Sequence, residues 1–426
     1  MLRMLTLRFV LLFMLAAASA HADEALTYIK AGQLIDVIDG ETRSDQVIIV
    51  QGDRIVRVAN AADVQISVDA QLIDLSGHTV LPGLIDMHDH LTGDHRFHGY
   101  KGLGISLPRE TLYGVLNARI TLNAGFTTVR NVGASGYSDV ALRDAINDGE
   151  IDGPRIRVSG PPLGITGGHC DNNLLPPEYR DKGEAVADGP WAVRAKVREV
   201  IKYGADLIKF CATGGVLSKG DSVGGQQYTL EEMQALVDEA HQHERKVAAH
   251  AHGADGIKAA IIAGVDSIEH SSLIDDEGIQ LAKKHGTFLV MDIYNDTFIL
   301  EHGASVGMLP ESLEKERQIG QLQRDNFRKA FQAGVRMAFG SDGAVYPHGD
   351  NGKQFRYMVE YGMTPMQAIQ AATVHAAELI GWPDTVGAID AGRFADIIAV
   401  EGDPLDDVSL LEDVRFVMKG GKIYKN

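Results

Sequence analysis

Short runs of alternating apolar and polar residues, separated by turn residues, occur in two distant parts of the chain. The clearest of these runs are residues 47–50, 54–58, 71–75, 396–400 and 414–418. A period-two alternation of this kind is typical of strands with one buried face. Because the pattern flanks a different middle region, we predict one small β-sandwich domain assembled from residues 23–80 and 382–426.

The middle of the chain alternates between short apolar runs and longer amphipathic segments. The apolar runs, which we interpret as strands, are residues 83–88, 127–131, 155–159, 206–210, 246–251, 267–270, 287–291 and 336–340. One amphipathic segment starts after Thr229, whose hydroxyl can cap a helix while Glu232 completes a capping box. Its apolar stripe begins at Leu230. Another predicted helix starts at Thr364 and stops at Gly381.

Eight strands that alternate with helices predict an α/β fold, a (β/α)₈ TIM-type barrel over residues 81–381. A doubly wound parallel sheet is the alternative. The barrel is favoured because candidate chemical groups occur at the carboxyl end of strand after strand, and these ends meet at one mouth of a barrel.

The first 22 residues have the pattern of a cleaved export signal. Arg3 and Arg8 flank an apolar stretch over residues 9–18, and small residues mark cleavage after Ala20 or Ala22. A membrane anchor is the alternative, but the apolar stretch is shorter than the roughly 20 residues that span a bilayer. We expect an exported protein, either periplasmic or secreted.

Composition narrows the partners and the redox chemistry. The formal net charge of −18 disfavours binding to nucleic acid or to an anionic membrane. With 45% hydrophobic residues, the 426-residue chain can bury a large core. The two cysteines, Cys170 and Cys211, could pair in an oxidising compartment, and the sequence leaves that question open.

The strongest chemical signal is the pair of histidines that ends the first predicted strand of the middle region. At a spacing of two, the side chains of His88 and His90 point the same way from a strand, so both imidazoles can reach one metal ion. A histidine cluster facing solvent is the alternative interpretation.

Lys209 lies in the apolar run 206–210. An unpaired buried ammonium is costly, and burial lowers the pKa of a lysine and favours the neutral amine. Near metal ions such an amine can react with carbon dioxide to form a carbamate with one oxygen for each of two ions. The alternative is a lysine paired with a nearby carboxylate.

Three further strand ends carry metal-binding groups. His250 and His270 each end a short strand, and His252 lies on the same side as His250 and is an alternative ligand. Asp342 follows the eighth predicted strand, where it could bind an ion and accept a proton from water, or simply form a turn before Gly343. Together these residues converge on one barrel mouth.

The sequence resembles the amidohydrolase superfamily over essentially the whole chain after the export signal. Besides the candidate ligands, the stretches that carry the resemblance are residues 164–169, 208–216 and 364–368. The subgroup that it resembles comprises exported prolidase-like amidohydrolases, related to imidazolonepropionase-like enzymes and ochratoxin-hydrolysing amidases.

The resemblance implies a binuclear centre with two divalent ions, most commonly zinc, bridged by N-carboxylated Lys209. His88, His90 and Asp342 would hold one ion, and His250 and His270 the other. The resemblance therefore favours His250 over His252 as the ligand. It also suggests a homo-oligomer.

The implied reaction is hydrolysis of the amide bond to a C-terminal amino acid, in dipeptides such as Xaa-Pro, in N-acyl amino acids or in ochratoxin-type amides. Asp342 would relay the proton to the leaving amine. Tyr228 is a candidate catalytic and substrate-binding residue that could donate a hydrogen bond to the carbonyl or carboxylate, although it could instead pack before the capped helix. His169 and His252 are further candidates for binding the substrate carboxylate. Hydrolysis of a cyclic amide and a non-catalytic small-molecule binding protein are the alternative functions.

Overall fold

The computed structural model describes residues 25–67 and 70–426, so the predicted export signal lies outside the described residues. The strands are β1 (Leu26–Asp36), β2 (Glu41–Gln51), β3 (Arg54–Asn60), β4 (Gln71–Pro82), β5 (Leu84–Asp89), β6 (Phe126–Asn131), β7 (Arg155–Val158), β8 (Leu207–Cys211), β9 (Lys246–Gly253), β10 (Ser267–Leu273), β11 (Phe288–Val290), β12 (Ile397–Glu401), β13 (Phe416–Lys419) and β14 (Lys422–Lys425). The α-helices are α1 (Leu107–Asn123), α2 (Ser138–Asn147), α3 (Pro190–Lys202), α4 (Leu230–Gln242), α5 (Ala254–Ala263), α6 (Asp276–His285), α7 (Asn295–Val306), α8 (Pro310–Gln332), α9 (Gln354–Glu360), α10 (Pro365–Ala371) and α11 (Val374–Ile380). None of the helices that the structure describes combines the length and the apolar character needed to cross a membrane.

The two outer parts of the chain share one seven-stranded sheet, in the order β14-β13-β12-β4-β1-β2-β3. Strand β4 joins them, since it pairs in parallel with β1 and antiparallel with β12. The buried side chains of Ile29, Ile48, Val80 and Ile397 belong to one apolar cluster on this sheet. The prediction that both parts contribute to one β-structure therefore holds.

Hydrogen bonding continues from strand to strand across all seven members of this one sheet, and the two-layered packing of a sandwich stays a prediction. Edge strand β3 is also covered. The backbone amide of Ile55 donates to Arg393 at 2.9 Å, and that of Ala395 donates to Asp53 at 2.8 Å. Pairing an edge in this way removes exposed hydrogen-bonding groups that invite aggregation.

Seven of the eight strands predicted for the middle region are strands in the structure, and all of them run parallel to their neighbours. They form a three-stranded sheet, β5-β6-β7, and a four-stranded sheet, β8-β9-β10-β11. The eighth predicted strand, residues 336–340, was wrong as a regular strand. It makes an isolated parallel bridge between Met337 and Leu289.

Backbone hydrogen bonds join these two sheets on both sides. On one side, the amide of Leu289 in β11 donates to Arg336 at 2.9 Å and that of Met87 in β5 donates to Phe339 at 2.9 Å. On the other side, the amide of Asp206, directly before β8, donates to Val158 in β7 at 2.7 Å. The carboxyl ends of β5 and β8–β11 consequently face one common space.

The helix predictions were partly right. Helix α4 has the predicted capping box of Thr229 and Glu232, although Leu230 is 36% exposed and lies outside the buried stripe. The predicted helix over 364–381 is two helices, α10 and α11. Thr373 separates them with φ −136° and ψ −95°, and its hydroxyl donates to the carbonyl of Ile369 at 2.6 Å.

Candidate metal centre and active site

All six residues predicted as metal ligands line one cavity of about 380 Å³ at the carboxyl ends of the parallel strands. His88, Lys209, His250 and His270 are buried residues of β5, β8, β9 and β10. His90 follows β5, and Asp342 follows the segment that bridges β11 and β5. Strand ends position the groups because parallel strands deliver their last side chains to the same edge.

His88, His90 and Asp342 form one half of the cluster. The Nε2 atoms of both histidines lie 3.3 Å from Oδ1 of Asp342. The Nδ1 atom of His88 contacts Glu269 at 3.0 Å, and that of His90 contacts the carbonyl of Gly133 at 3.2 Å. Protons on both Nδ1 atoms would leave both Nε2 lone pairs facing Asp342, as metal ligation requires.

The electrostatics of this half favour positive charge. Burial and the Lys209 ammonium both lower the pKa of His88, but the carboxylates of Asp342 and Glu269 outweigh them and raise this pKa to about 9. Burial raises the pKa of Asp342, yet His88 and His90 bring it well below its usual value. Asp342 is therefore an anionic carboxylate that can bind a cation.

His250, His252 and His270 form the other half. One ring nitrogen from each lies within 4.8 Å of the others. Burial, followed by the charges of neighbouring histidines, lowers the pKa of all three well below the usual value. Neutral imidazoles with free lone pairs are the form that binds metal.

Their hydrogen bonds distinguish these histidines from one another. His252 Nδ1 contacts the hydroxyl of Ser272 at 2.7 Å, and His270 Nδ1 contacts Asp292 at 2.8 Å. The Nε2 atom of His250 is buried and has no hydrogen-bond partner among the described residues. An orphaned buried imidazole nitrogen is costly unless a ligand takes its lone pair, so His250 fits the role of a metal ligand.

Lys209 is 4% exposed and lies within electrostatic reach of both halves. Burial lowers the pKa of its amine to about 8, and the nearby carboxylates of Glu269 and Asp342 oppose that change. A larger neutral fraction makes the amine a better nucleophile near pH 8. Its chemistry thus matches the predicted carboxylation.

Backbone strain concentrates at this site. Eight non-glycine residues in the described chain have positive φ, and four of them are His270 (69°), Ser271 (54°), Asp342 (58°) and Ala344 (88°). Each such residue costs on the order of 1–3 kcal/mol and persists only where the surrounding structure enforces it. The backbone conformations that place His270 and Asp342 therefore reduce the stability of the fold.

The sequence analysis missed a buried ion pair next to His88, formed by Glu269 and Arg130. Glu269 accepts from Arg130 at 2.8 Å and both residues are buried. Arg130 also donates to the carbonyl of Met87 at 2.6 Å. This ion pair fixes the carboxylate that orients the imidazole of His88. A charged residue inside each of the apolar runs 127–131 and 267–270 was the available signal.

A second missed group surrounds Asp292, which follows β11. Besides His270, its carboxylate accepts from Asn295 at 2.5 Å and from Gln323 at 3.2 Å. Asn295 also donates to Oδ2 of Asp342 at 3.0 Å. An acidic residue directly after the seventh predicted strand met the same strand-end criterion as the other candidates and could have been found by it.

The predicted substrate-binding residues separate into two groups. His169 and His252 line the cavity, and the ring of His169 stacks on that of His250 with centroids 4.1 Å apart. Tyr228 does not reach the cavity. It is fully buried against Phe210, and its hydroxyl donates to the carbonyl of Ala187 at 3.1 Å. For Tyr228 the structure shows the packing alternative.

Cys170 and Cys211 form a disulfide with a Cα–Cα distance of 5.9 Å, and both line the cavity. The bond links the end of β8 to the loop that carries His169. Neither sulfur is a free thiol, so neither can act as a nucleophile.

Comparisons with known proteins agree with the resemblance found in the sequence. Residues 79–424 match the amidohydrolase family. The chain is 35% identical to ochratoxinase from Aspergillus niger, over 95% of this chain and 88% of that protein. A crystal structure of a Xaa-Pro dipeptidase with bound methionine in its active site has a TM-score of 0.87 and 40% identity, covering 94% of this chain and 100% of the other. A prolidase complexed with N-methylphosphonate-L-proline has a TM-score of 0.87 and 33% identity, with 94% and 100% covered.

Proposed function

The chain belongs to the amidohydrolase family and is a metal-dependent amide hydrolase, and from this premise we propose that it cleaves the amide bond to a C-terminal amino acid in dipeptides or N-acyl amino acids. The observation that carries the proposal is the convergence of two three-residue ligand groups and one buried lysine on a single cavity. The names of the relatives support the bond class, since one is an ochratoxinase and another a Xaa-Pro dipeptidase.

The donor set fits two divalent ions, for which zinc is our first choice because imidazole and carboxylate ligands suit it. His88, His90 and Asp342 would hold one, His250 and His270 the other, and a carbamate on Lys209 would bridge them. The orphaned Nε2 of His250 and the neutral state of the second group favour this assignment. When bound, such a pair of ions polarises a carbonyl and lowers the pKa of water towards 7.

The residues of the chain supply orientation and proton transfer. Asn295 holds Oδ2 of Asp342 at 3.0 Å, so Oδ1 stays directed towards the two histidines. In this geometry Asp342 accepts the proton of the attacking water and delivers it to the leaving amine. His169 and His252 line the same cavity and are our candidates for binding the substrate carboxylate.

Three wider features complete the proposal. The hydrogen bonds on both sides of the two parallel sheets favour a closed (β/α)₈ barrel in which residues 336–340 take the eighth position. The disulfide is consistent with export to an oxidising compartment, which N-terminal sequencing of the mature protein would test. We also expect a homo-oligomer, which light scattering would measure.

The decisive experiment is a substrate screen with purified zinc-loaded enzyme against Xaa-Pro, Xaa-Arg and Xaa-Phe dipeptides and N-acyl amino acids, with the released amine measured. Absence of turnover on every acyl amino acid would refute the substrate class. Lys209→Ala should reduce bound zinc below two ions per chain and abolish activity. The control Lys246→Ala changes a half-exposed lysine on β9 and should alter neither.

A further inference from the structure

A network of hydrogen bonds leads from helix α8 to the cavity and ends at His169. The residues between them belong to the segment that joins β8 to α4, residues 212–229. Lys315 of α8 donates to Asp221 at 2.8 Å, and the hydroxyl of Ser218 contacts the same carboxylate at 2.7 Å. Nδ1 of His169 lies 2.8 Å from that hydroxyl. None of the three residues behind His169 has a part in the mechanism described above.

The ion pair of Lys315 and Asp221 is the fixed end of this network. Their side chains are 12% and 11% exposed. The ammonium has three protons, and it donates them to Asp221 and to the carbonyls of Gly215 at 3.0 Å and Ser218 at 2.8 Å. Burial raises the pKa of Asp221, but hydrogen bonds from Lys315 and Ser218 outweigh it and lower this pKa below its usual value. Asp221 is therefore a carboxylate that can only accept hydrogen bonds.

The anionic state of Asp221 determines where the protons of the network lie. The hydroxyl of Ser218 has one proton, and the two carboxylate oxygens lie 2.7 Å and 2.8 Å from it. Because Asp221 has no proton to give, Ser218 donates to it, and the Ser218 oxygen accepts from Nδ1 of His169. A neutral imidazole carries a single N–H. Nε2 of His169 consequently has a free lone pair.

The same surroundings fix the orientation of the His169 ring. A Cβ atom at Gly215 would lie 2.3 Å from Cε1 of the ring, so the absent side chain there makes room for the imidazole. The ring also stacks on that of His250. The backbone amide of His169 donates to Gln227 at 3.0 Å, and Gln227 in turn donates to Asp221 at 3.2 Å. Asp221 thus holds His169 through both its ring and its backbone.

The free nitrogen of His169 belongs to the cavity. Nε2 makes no hydrogen bond within the described residues, and His169 lines the cavity of the candidate metal ligands. It is nevertheless a member of none of the described three-residue groups whose ligand atoms lie within 4.8 Å of one another. An imidazole lone pair at the cavity wall, outside the ligand groups, is a site for a hydrogen-bond donor of the substrate.

We propose that Asp221 and Ser218 are positioning residues that present Nε2 of His169 as a hydrogen-bond acceptor to an N–H group of the substrate. Lys315 acts through Asp221. The inference rests on the proposed function and specifies one contact of its substrate. It also narrows the role of His169, since a lone pair repels a carboxylate and attracts a donor. The N–H group is that of the scissile amide or the α-ammonium of a dipeptide, which share their donor chemistry.

The proton positions are measurable without turnover. Two-bond proton–nitrogen correlation spectra of zinc-loaded enzyme with isotope-labelled histidine report which ring nitrogen carries the proton. The signals of His169 are those missing from His169→Gln. We expect the proton on Nδ1, and Asp221→Asn should shift it towards Nε2, because the amide offers Ser218 a donor in place of an acceptor. A proton on Nε2 in the unaltered enzyme overturns the inference.

The matched control is Asp238→Asn, which changes an exposed aspartate of α4 that pairs with Arg194. It should keep the proton of His169 on Nδ1. Ser218→Ala is the second variant, since it removes the acceptor of Nδ1–H and leaves the buried ion pair in place. It should also shift the proton towards Nε2. An unchanged proton position in Ser218→Ala means that the network does not position His169, and the inference is then wrong.

Steady-state kinetics identify the N–H group. L-Alanyl-L-phenylalanine carries both donors, N-acetyl-L-phenylalanine only the amide N–H, and L-alanyl-L-proline only the α-ammonium. For substrates with the donor in question, Ser218→Ala should raise KM about five- to tenfold and leave kcat nearly unchanged, as expected for a lost binding contact. Ser218→Thr keeps a hydroxyl and should retain most of the affinity. Turnover with unchanged KM for all three substrates refutes the inference and leaves the proposed function standing. A failure of all turnover refutes the proposed function, and the spectra still decide the inference.

Discussion

Glu269 and His270 are neighbours in β10, yet both side chains reach His88. Glu269 lies 3.0 Å from Nδ1 of His88, and the ring of His270 lies 4.8 Å from that of His88. Strict alternation along a strand would direct them to opposite faces. The left-handed φ of 69° at His270 breaks the alternation. Sequence patterns identified His270 by its residue type but gave no indication of this backbone conformation, so the role of Glu269 was missed.

We predict that Glu269→Gln strongly destabilises the metal-free protein. The substitution leaves the buried guanidinium of Arg130 without its carboxylate, and breaking a buried ion pair costs about 3–5 kcal/mol. Urea unfolding in the presence of a chelator would measure the change. Glu277→Gln is the control, because its pair with Lys258 is exposed and screened by solvent, so its loss should change stability little. Equal losses in both variants would contradict the importance assigned to the buried pair.

We predict that Glu316 makes stability depend on pH. Burial first, and then Asp292, raises the pKa of its carboxyl from 4.5 to about 7. The folded state therefore binds more protons than the unfolded chain between these two values, and the free energy of unfolding falls as pH rises through that window. The stabilisation is complete below pH 4.5 and lost above pH 7.

In Glu316→Gln this contribution is absent. The variant should gain up to about 3 kcal/mol relative to the unaltered protein between pH 4.5 and pH 8. Chelator-treated samples and urea unfolding at several pH values would show it. A constant difference between the two proteins across this range would argue against a raised pKa.

At the scale of helices and strands, the sequence reveals features set by neighbouring residues better than features set by long-range contacts. The capping box of α4 depends on residues three positions apart and was read correctly. The break at Thr373 and the irregular segment 336–340 depend on contacts made by the folded chain. At Gly340, for instance, a Cβ atom would lie 2.3 Å from the side chain of Val290. A close approach of this kind has no signature in apolar periodicity.

We predict that Thr229→Ala lowers the free energy of unfolding by about 1 kcal/mol, the usual loss for a helix cap. Its hydroxyl accepts from the backbone amide of Glu232 at 3.3 Å, and the Glu232 carboxylate accepts from the backbone amide of Thr229 at 2.8 Å. Thr229→Ser keeps the hydroxyl and should retain most of the stability. Thermal unfolding of the two variants under identical metal loading gives the comparison. Equal stability of the two would show that the cap contributes little.

At the scale of the whole molecule, the seven-stranded sheet is connected directly to a strand that carries candidate metal ligands. Only Gly83 separates β4 of the sheet from β5, which carries His88. The amide of Gly83 donates to Asp396 at 2.9 Å, and Asp396 pairs with Arg155 in β7. The seven-stranded sheet therefore supports the start of β5 and of β7. In the sequence, this arrangement is visible only as predicted strands in the two outer parts of the chain, on either side of a different middle region.

The candidate ligands come from segments as distant in sequence as His88 and Asp342, so bound metal would connect most of the parallel strands. Because the site exists only in the folded chain, an ion stabilises the protein by its binding free energy. At free zinc a thousandfold above its Kd, the expected gain is about 4 kcal/mol. Removing metal with a chelator should therefore lower the Tm, and adding zinc back should restore it.

Two variants separate specific ligation from general effects of zinc. His250→Ala removes the orphaned Nε2 of the second group and should lose much of the zinc-dependent rise in Tm. His241→Ala changes a half-exposed histidine paired with Asp266 on the surface and should keep the full rise. Because His241→Ala also removes an imidazole, an equal loss in both variants would mean that zinc stabilises the fold through scattered surface sites. A loss confined to His250→Ala would mean that zinc acts by holding the strand ends together around the cavity.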